Sequence, residues 1–264
     1  MRMTIILVFL THGFVNTLLL TPWNPLRSYF WNAASLTESE AWMLDWFTEG
    51  HFHFYVLLAS LFLSIQGQNE ARLEERLVYL CATLVTCSLS TGMFSLDVLN
   101  QPMAGLMGAI YLGLLAAIMY QTSAVPSQSS TAELLFPSRG DRSETIPMAT
   151  VAVGIVAVLN GVRGIELAFG EGLELDSAEN SLVYQRLFQV FACQAVWVTF
   201  ILIWTAAQAT VEQQKAVLMG QFLVHFTSIV LSAGSPGALM PASEARAAGI
   251  NNFLGLCITL LGAN

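Results

Sequence analysis

Apolar residues in this chain run in long blocks. They do not alternate as in a half-buried strand or form the single stripe of a soluble amphipathic helix. Eight blocks stand out, roughly 3–21, 51–68, 77–97, 103–121, 146–169, 184–208, 216–233 and 249–263. A helix needs about 20 mostly apolar residues to cross a hydrocarbon core about 30 Å thick. The fifth block carries Arg163 and Glu166 near its end, and the eighth is short enough to tilt or to sit partly in protein. The competing reading is the buried core of a water-soluble helical protein. One helix apolar all round fits that reading; eight in 264 residues do not. The pattern predicts an all-α, polytopic integral membrane protein with about eight transmembrane helices. Block 3–21, preceded by Arg2, also has the outline of a secretory signal peptide, but no small-x-small site precedes Trp23 and Pro25, so a first span is expected.

The polar positions divide the blocks into two sets. A segment over 122–145, with Pro126, Pro137, Gly140 and a run of serines, reads as an exposed linker. It separates a four-helix unit over 1–121 from a second over 146–264, and each unit follows the same order. The first has His12-Gly13, a loop to Gly50 and the turn Glu74-Glu75-Arg76. The second has Asn160-Gly161, a loop from Gly170 to Asn180 and the turn Gln213-Gln214-Lys215. Pro102 matches Pro241, and Gly108 matches Gly255. This order predicts a tandem duplication, and with four spans per copy the two repeats are parallel rather than inverted. Arg2, Arg72, Arg76, Arg139, Arg142 and Lys215 fall on one side of the eight-span topology; Arg27, Arg163, Arg186 and Arg246 fall on the other with most of the acids. The positive-inside rule then puts both termini on the inner (cytoplasmic, matrix or stromal) side of a bacterial or organelle energy-transducing membrane. Trp23, Trp31, Trp42, Trp46 and Tyr29 are expected to lie at the interface in the first outer loop.

Composition narrows the function. Charged residues are 11% of the chain and hydrophobic ones 55%, against roughly 25% charged in a soluble domain; mean hydropathy is +0.62. The net charge is −8 and Lys215 is the single lysine, which leaves no basic stripe for nucleic acid. The four cysteines, Cys81, Cys87, Cys193 and Cys257, fall within predicted spans without a CxxC spacing and read as apolar fillers. No nucleotide-binding, hydrolase or metalloprotease motif appears, so no enzyme class is supported and no metal site is expected.

The candidate residues are few. His12 and His225 lie at similar depth on the first and seventh spans, where they would ligate a haem from two sides or each hold a chlorophyll; the bland alternative is a hydrogen bond to a neighbour. His51 and His53 stand at the outer end of the second span as further ligand candidates, and a metal there would need Glu49 or Asp45. Arg163 and Glu166 are three apart on one helix face, a polar pair that serves either a site or a structural clamp. Gln189, Gln194 and Asp97 read as packing polar groups. Small residues at i, i+4, including Ala109 with Gly113 and Ala157 with Gly161, mark close helix packing.

Tyr184-Gln185-Arg186 opening a helix, Glu212 to Lys215 in the next turn, and Asn251-Asn252 with Gly255 in the last helix resemble the pattern of DoxX-like four-helix membrane proteins. Gly50-His51 stands in the first half where an arginine would open the helix. The resemblance implies a compact four-helix bundle per half and an accessory role rather than a reaction. The expected function is a non-catalytic subunit of a respiratory or photosynthetic membrane complex, with lipids and other membrane subunits as partners. The alternatives are a carrier that binds a small molecule, lipid or quinone, and a single-haem cytochrome.

Overall fold

The computed structural model describes residues 36–64, 146–169, 181–233 and 242–264, together with seven positions between 102 and 120. The described part is entirely helical. Five long helices form it: α1 (Glu38–Ser64), α2 (Met148–Phe169), α3 (Leu182–Gln208), α4 (Val211–Ala233) and α5 (Ala242–Ala263). The seven separate positions, Ala109, Leu112 and Gly113 among them, are helical and exposed. His12 and Asp97 lie outside the described residues, as do the other three helices of the expected first repeat except for these positions.

Polar caps set where the helices begin. Thr37 and Glu40 form a reciprocal capping box: the Thr37 N–H donates to Glu40 Oε2 at 2.8 Å, and the Glu40 N–H to Thr37 Oγ1 at 3.3 Å. Thr210 and Gln213 repeat it at the start of α4, at 2.8 and 3.4 Å. At α3 the Ser181 hydroxyl accepts from the Tyr184 N–H at 3.1 Å. Gln214 then closes the C-terminal end of α3, its Nε2 reaching the carbonyls of Thr205, Ala206 and Ala209 at 3.1–3.3 Å, where the Thr205 carbonyl also accepts from the Ala209 N–H at 3.0 Å.

In place of the loop expected up to Gly50, α1 is continuous from Glu38. Trp42 and Trp46 are accordingly not on an interfacial loop. Both are buried in the bundle, edge-to-face with each other at 6.0 Å, and Trp46 also packs on Phe191 at 5.9 Å.

The helices form a ring. α5 packs on α4, α4 on α1, α1 on α3, α3 on α2, and α2 back on α5, with α2 also touching α4 across the middle. α3 and α4 are joined by only Ala209 and Thr210, yet they barely touch, because α1 lies between them. The helices over 146–264 thus take a fifth helix from the N-terminal half.

Side-chain pairs fix the directions. Glu40 bonds Ser181, and Gly50 lies against Gln194, so α1 and α3 run parallel. Glu49 bonds Ser228 while His53 bonds Gln221, so α1 and α4 run antiparallel. One end of the bundle therefore carries Glu40 and Ser181. The other carries Thr150, Gln214 and Lys215, where Thr150 Oγ1 donates to Gln214 Oε1 at 2.8 Å and Lys215 Nζ to the Asn264 carbonyl at 3.1 Å.

The outer surface is apolar. Val151, Ile155, Val158 and Val162 on α2, and Met219, Leu223, Phe226 and Val230 on α4, are all exposed at helical spacing. Gln214, Gln221, His225 and Ser228 occupy the opposite, inward face of α4. Among the described residues, α3 alone is long and apolar enough to cross a membrane, with a mean hydropathy of 1.9 in its most apolar window. Its 27 residues span about 40 Å. Met148–Val162 and Ala248–Ala263 are shorter apolar stretches.

Candidate polar pocket

The interior of the ring is split along its length. Toward the Gln214 end it is filled by Leu57, Leu58, Leu61, Val153, Val156, Ile201, Leu202, Val217 and Leu218. Toward the Glu40 end it opens into a cavity of about 40 Å³ to which every helix contributes. The lining is Trp46, Glu49, Gly50 and His53 from α1, Asn160 from α2, Phe191, Gln194, Ala195 and Val198 from α3, Val224, His225 and Ser228 from α4, and Asn251 and Asn252 from α5. On each helix these residues stand nearer the Glu40 end than the apolar core does, with Val198 at the boundary.

Each lining histidine is paired with an amide, His225 with Asn252 of the lining and His53 with Gln221 outside it. His53 Nε2 lies 2.8 Å from Gln221 Oε1, and His225 Nδ1 lies 3.2 Å from Asn252 Oδ1. In each pair an imidazole N–H donates to an amide oxygen, which leaves the other ring nitrogen as an acceptor. In each pair the amide NH₂ of the partner, Gln221 Nε2 or Asn252 Nδ2, is buried without an acceptor. Ser228 Oγ donates to Glu49 Oε1 at 2.5 Å. Asn160 spends its Nδ2 on the Val156 carbonyl at 2.9 Å, so its oxygen is the end left for the cavity.

Two glycines allow this closeness. A Cβ on Gly255 would stand 2.5 Å from Cε1 and Nε2 of His225, so the ring lies directly on the α5 backbone; a Cβ on Gly50 would collide with Gln194 Oε1. At the Glu40 end, burial raises the Glu40 pKa, but the hydrogen bonds from the Ser181 hydroxyl and from the backbone and side chain of Thr37 outweigh it and hold the carboxyl below its usual range.

Of the residues singled out from sequence, His53, His225 and Gln194 meet in the cavity, while Gln189 is on the outside. His51 lies on α1, and Arg163 and Glu166 on α2; their side chains lie outside the described residues. Of the expected haem pair, His225 lines the cavity and His12 lies outside the described residues. A porphyrin does not fit between His53 and His225: about 40 Å³ is far below the roughly 300 Å³ at which pockets take drug-sized ligands. Among the described residues no three His, Cys, Asp or Glu side chains are grouped to hold a metal ion. Asn160, Asn251, Asn252 and Gly255 are visible in the sequence only as marks of the repeat or of the resemblance. From sequence, Glu49 stands only as a helper to His51 and His53. The signal that could have found the set is polar residues recurring at i, i+4 and i, i+7 on α1 and α4, as in Glu49–His53 and Gln221–His225–Ser228.

No known protein family, no curated protein and no solved structure matches the chain.

Proposed function

We propose that this chain is an integral membrane protein of about eight spans whose helical bundle binds a small polar ligand, or the polar head of an amphipathic one, in the cavity beside Glu49, His53, His225 and Asn252. The observation that carries this is the reversed distribution of polarity: large apolar side chains outside at helical spacing, and amides, imidazoles and a carboxylate inside. Water-soluble monomers rarely expose apolar faces that large, whereas lipid solvates them. Polar side chains inside a membrane bundle are costly and, by default, candidates for a site. In the eight-span arrangement the Gln214 end, with Lys215, faces inside with both termini, and the pocket faces the acidic outer side.

The same outer faces would serve an accessory subunit of a larger complex, the role expected from the sequence pattern. What favours binding is the buried amide of Asn252, which lines the cavity with NH₂ protons lacking an acceptor. Such a group costs about 1–3 kcal/mol when left unpaired, and a bound molecule or ordered water relieves that cost.

The test is native mass spectrometry of the full chain in lipid nanodiscs, wild type against Asn252→Leu. A small molecule retained by the wild type and lost from the variant is the expected result. The same adducts in both, or none in either, would remove the binding reading. Release of the chain from membranes by a carbonate wash would remove the membrane reading.

A further inference from the structure

α1 and α3 occupy equivalent places in the two expected repeats, and they meet in a particular register. A shift of 144 residues carries the cap Thr37 onto the cap Ser181. The same shift carries Gly50 onto Gln194, the residue against which Gly50 lies. It also carries Met43, Phe47, Phe54 and Leu57, a buried column of α1, onto Leu187, Phe191, Val198 and Ile201, which are buried on α3. Parallel helices that meet residue against equivalent residue are related by a two-fold axis running between them, the relation expected of parallel repeats. We infer that the α1–α3 seam is the axis of the internal repeat, and that the α3 face carrying Trp197, Phe200 and Trp204 is a docking surface for residues 77–97 of this same chain, which lie outside the described residues.

The template is the contact of α1 with α4. There His53 meets Gln221, and Gly220 lies against Val56 and Ser60. The shift of 144 carries His53, Val56 and Ser60 onto Trp197, Phe200 and Trp204. The matched turns, Glu74-Glu75-Arg76 and Gln213-Gln214-Lys215, carry α4 onto the block at 77–97, with Gly220 on Cys81 and Gln221 on Ala82. Both sides of the contact change together. Where α1 sets an imidazole against an amide, α3 has an indole and the incoming segment a methyl. An apolar aromatic face thus meets small apolar residues, which suits close helix packing in lipid. The face is also placed to receive them. α2 meets α3 at Thr199, where Gly161 approaches, and at about 100° per residue Trp197 and Trp204 lie on the opposite side of the helix. α3 barely touches α4, while Trp197 and Phe200, edge-to-face at 6.1 Å, are only partly buried. The register bears on the pocket too: His53 lines it and its counterpart is Trp197, so the two repeats supply one polar cavity rather than two.

The experiment is oxidative crosslinking of the full chain in its membrane, carrying Cys87→Ser, Cys193→Ser and Cys257→Ser with Cys81 kept. Phe200→Cys and Trp204→Cys, made singly, are each expected to form a disulfide with Cys81, seen as a linked peptide pair from the monomer band of a non-reducing gel. The template pair, Ser60→Cys with Gly220→Cys, is tested with Cys81→Ser added. It should link as well, since a Cβ at position 220 would lie 3.4 Å from that of Ser60, close to the roughly 3.5–4.5 Å of a disulfide. Ile203→Cys, on the exposed side of α3, should not link to Cys81. Linking of the template pair while Cys81 joins neither position 200 nor position 204 would overturn the inference, and so would equal linking at position 203. Failure of the template pair would remove the contact from which the docking is copied and overturn it as well. None of these variants alters a residue lining the cavity, so the outcome is separate from that of the binding reading.

Discussion

The two halves of the bundle interior are built from the same five helices and do opposite things. Toward the Gln214 end, aliphatic side chains from α1, α2, α3 and α4 meet with almost no exposure, and Leu57, Leu58, Ile201 and Leu202 are fully buried. Toward the Glu40 end the same helices present Glu49, His53, Asn160, Gln194, His225 and Asn252 around a void. Close packing is what holds a helical bundle together in lipid, where tails are as apolar as leucine and burial alone gives no driving force. The first half therefore carries the stability. The second half gives up packing, holds unpartnered amide protons and retains space, which is the cost that the proposed binding role would explain. The apolar half also closes the pocket on one side, so the described interior is a blind recess rather than a passage.

The sharpest way to break this contrast is one truncation in each half. Leu202→Ala removes packing from a fully buried position. Such changes cost about 2–5 kcal/mol in soluble cores. In lipid the transfer part shrinks and the lost contacts remain, so about 2–3 kcal/mol is expected, read as a lowered unfolding midpoint in nanodiscs with retained ligand binding in the folded fraction. Asn252→Leu should change stability by no more than about 1 kcal/mol, since it removes an unpaired buried amide NH₂ but also the oxygen that accepts from His225 Nδ1, two effects of opposite sign. Equal destabilisation by the two would erase the division of labour.

Next in size is Gly255→Ala. The added methyl would stand 2.5 Å from the His225 ring, which has the Asn252 bond on one side and the α5 backbone on the other. Overpacking of this kind costs about 1–3 kcal/mol. A displaced ring should also show as a changed His225 imidazole shift by NMR, which a purely remote effect on the bundle would leave in place. An unchanged midpoint and an unchanged shift would mean that α5 does not press on His225.

How much of this the sequence carried differs between the two halves as well. Blocks at 146–169, 184–208, 216–233 and 249–263 correspond to α2–α5, but three of those helices begin earlier, at Leu182, Val211 and Ala242. Hydropathy finds only the greasy stretch of a helix, whereas Ser181 and Thr210 set where α3 and α4 start. The largest difference is α1. The acids from Glu38 to Glu49 read as loop, although Thr37-x-x-Glu40 is a helix-start signature legible from spacing alone. Glu49 and Gly50 then fall at the end of that loop, whereas both lie within α1 and Gly50 marks the close approach of α3. His53 and His225 were identifiable as buried polar groups. That they share a cavity was not, because it depends on α1 lying between α3 and α4, a tertiary arrangement that short connections would not lead one to expect.

The smallest effects lie at the mouth of the polar half, where the cap of α1 also ties α1 to α3. Thr37→Ala removes one arm of the capping box and should cost about 1 kcal/mol. Glu40 adds a pH signature. Its carboxyl titrates below the usual carboxylate range because the Ser181 and Thr37 hydrogen bonds favour the charged form more than burial disfavours it. A group whose pKa is lower folded than unfolded contributes stability that is fully present above the unfolded value and is lost as pH falls through the folded one. Wild-type protein should therefore lose Tm as pH falls through the usual carboxylate range and below it. Glu40→Gln, which keeps the shape and a hydrogen-bonding oxygen, should start lower at neutral pH and fall less across that window. A parallel decline in the two proteins would place the acid sensitivity elsewhere and leave the Glu40–Ser181 tie a neutral contact.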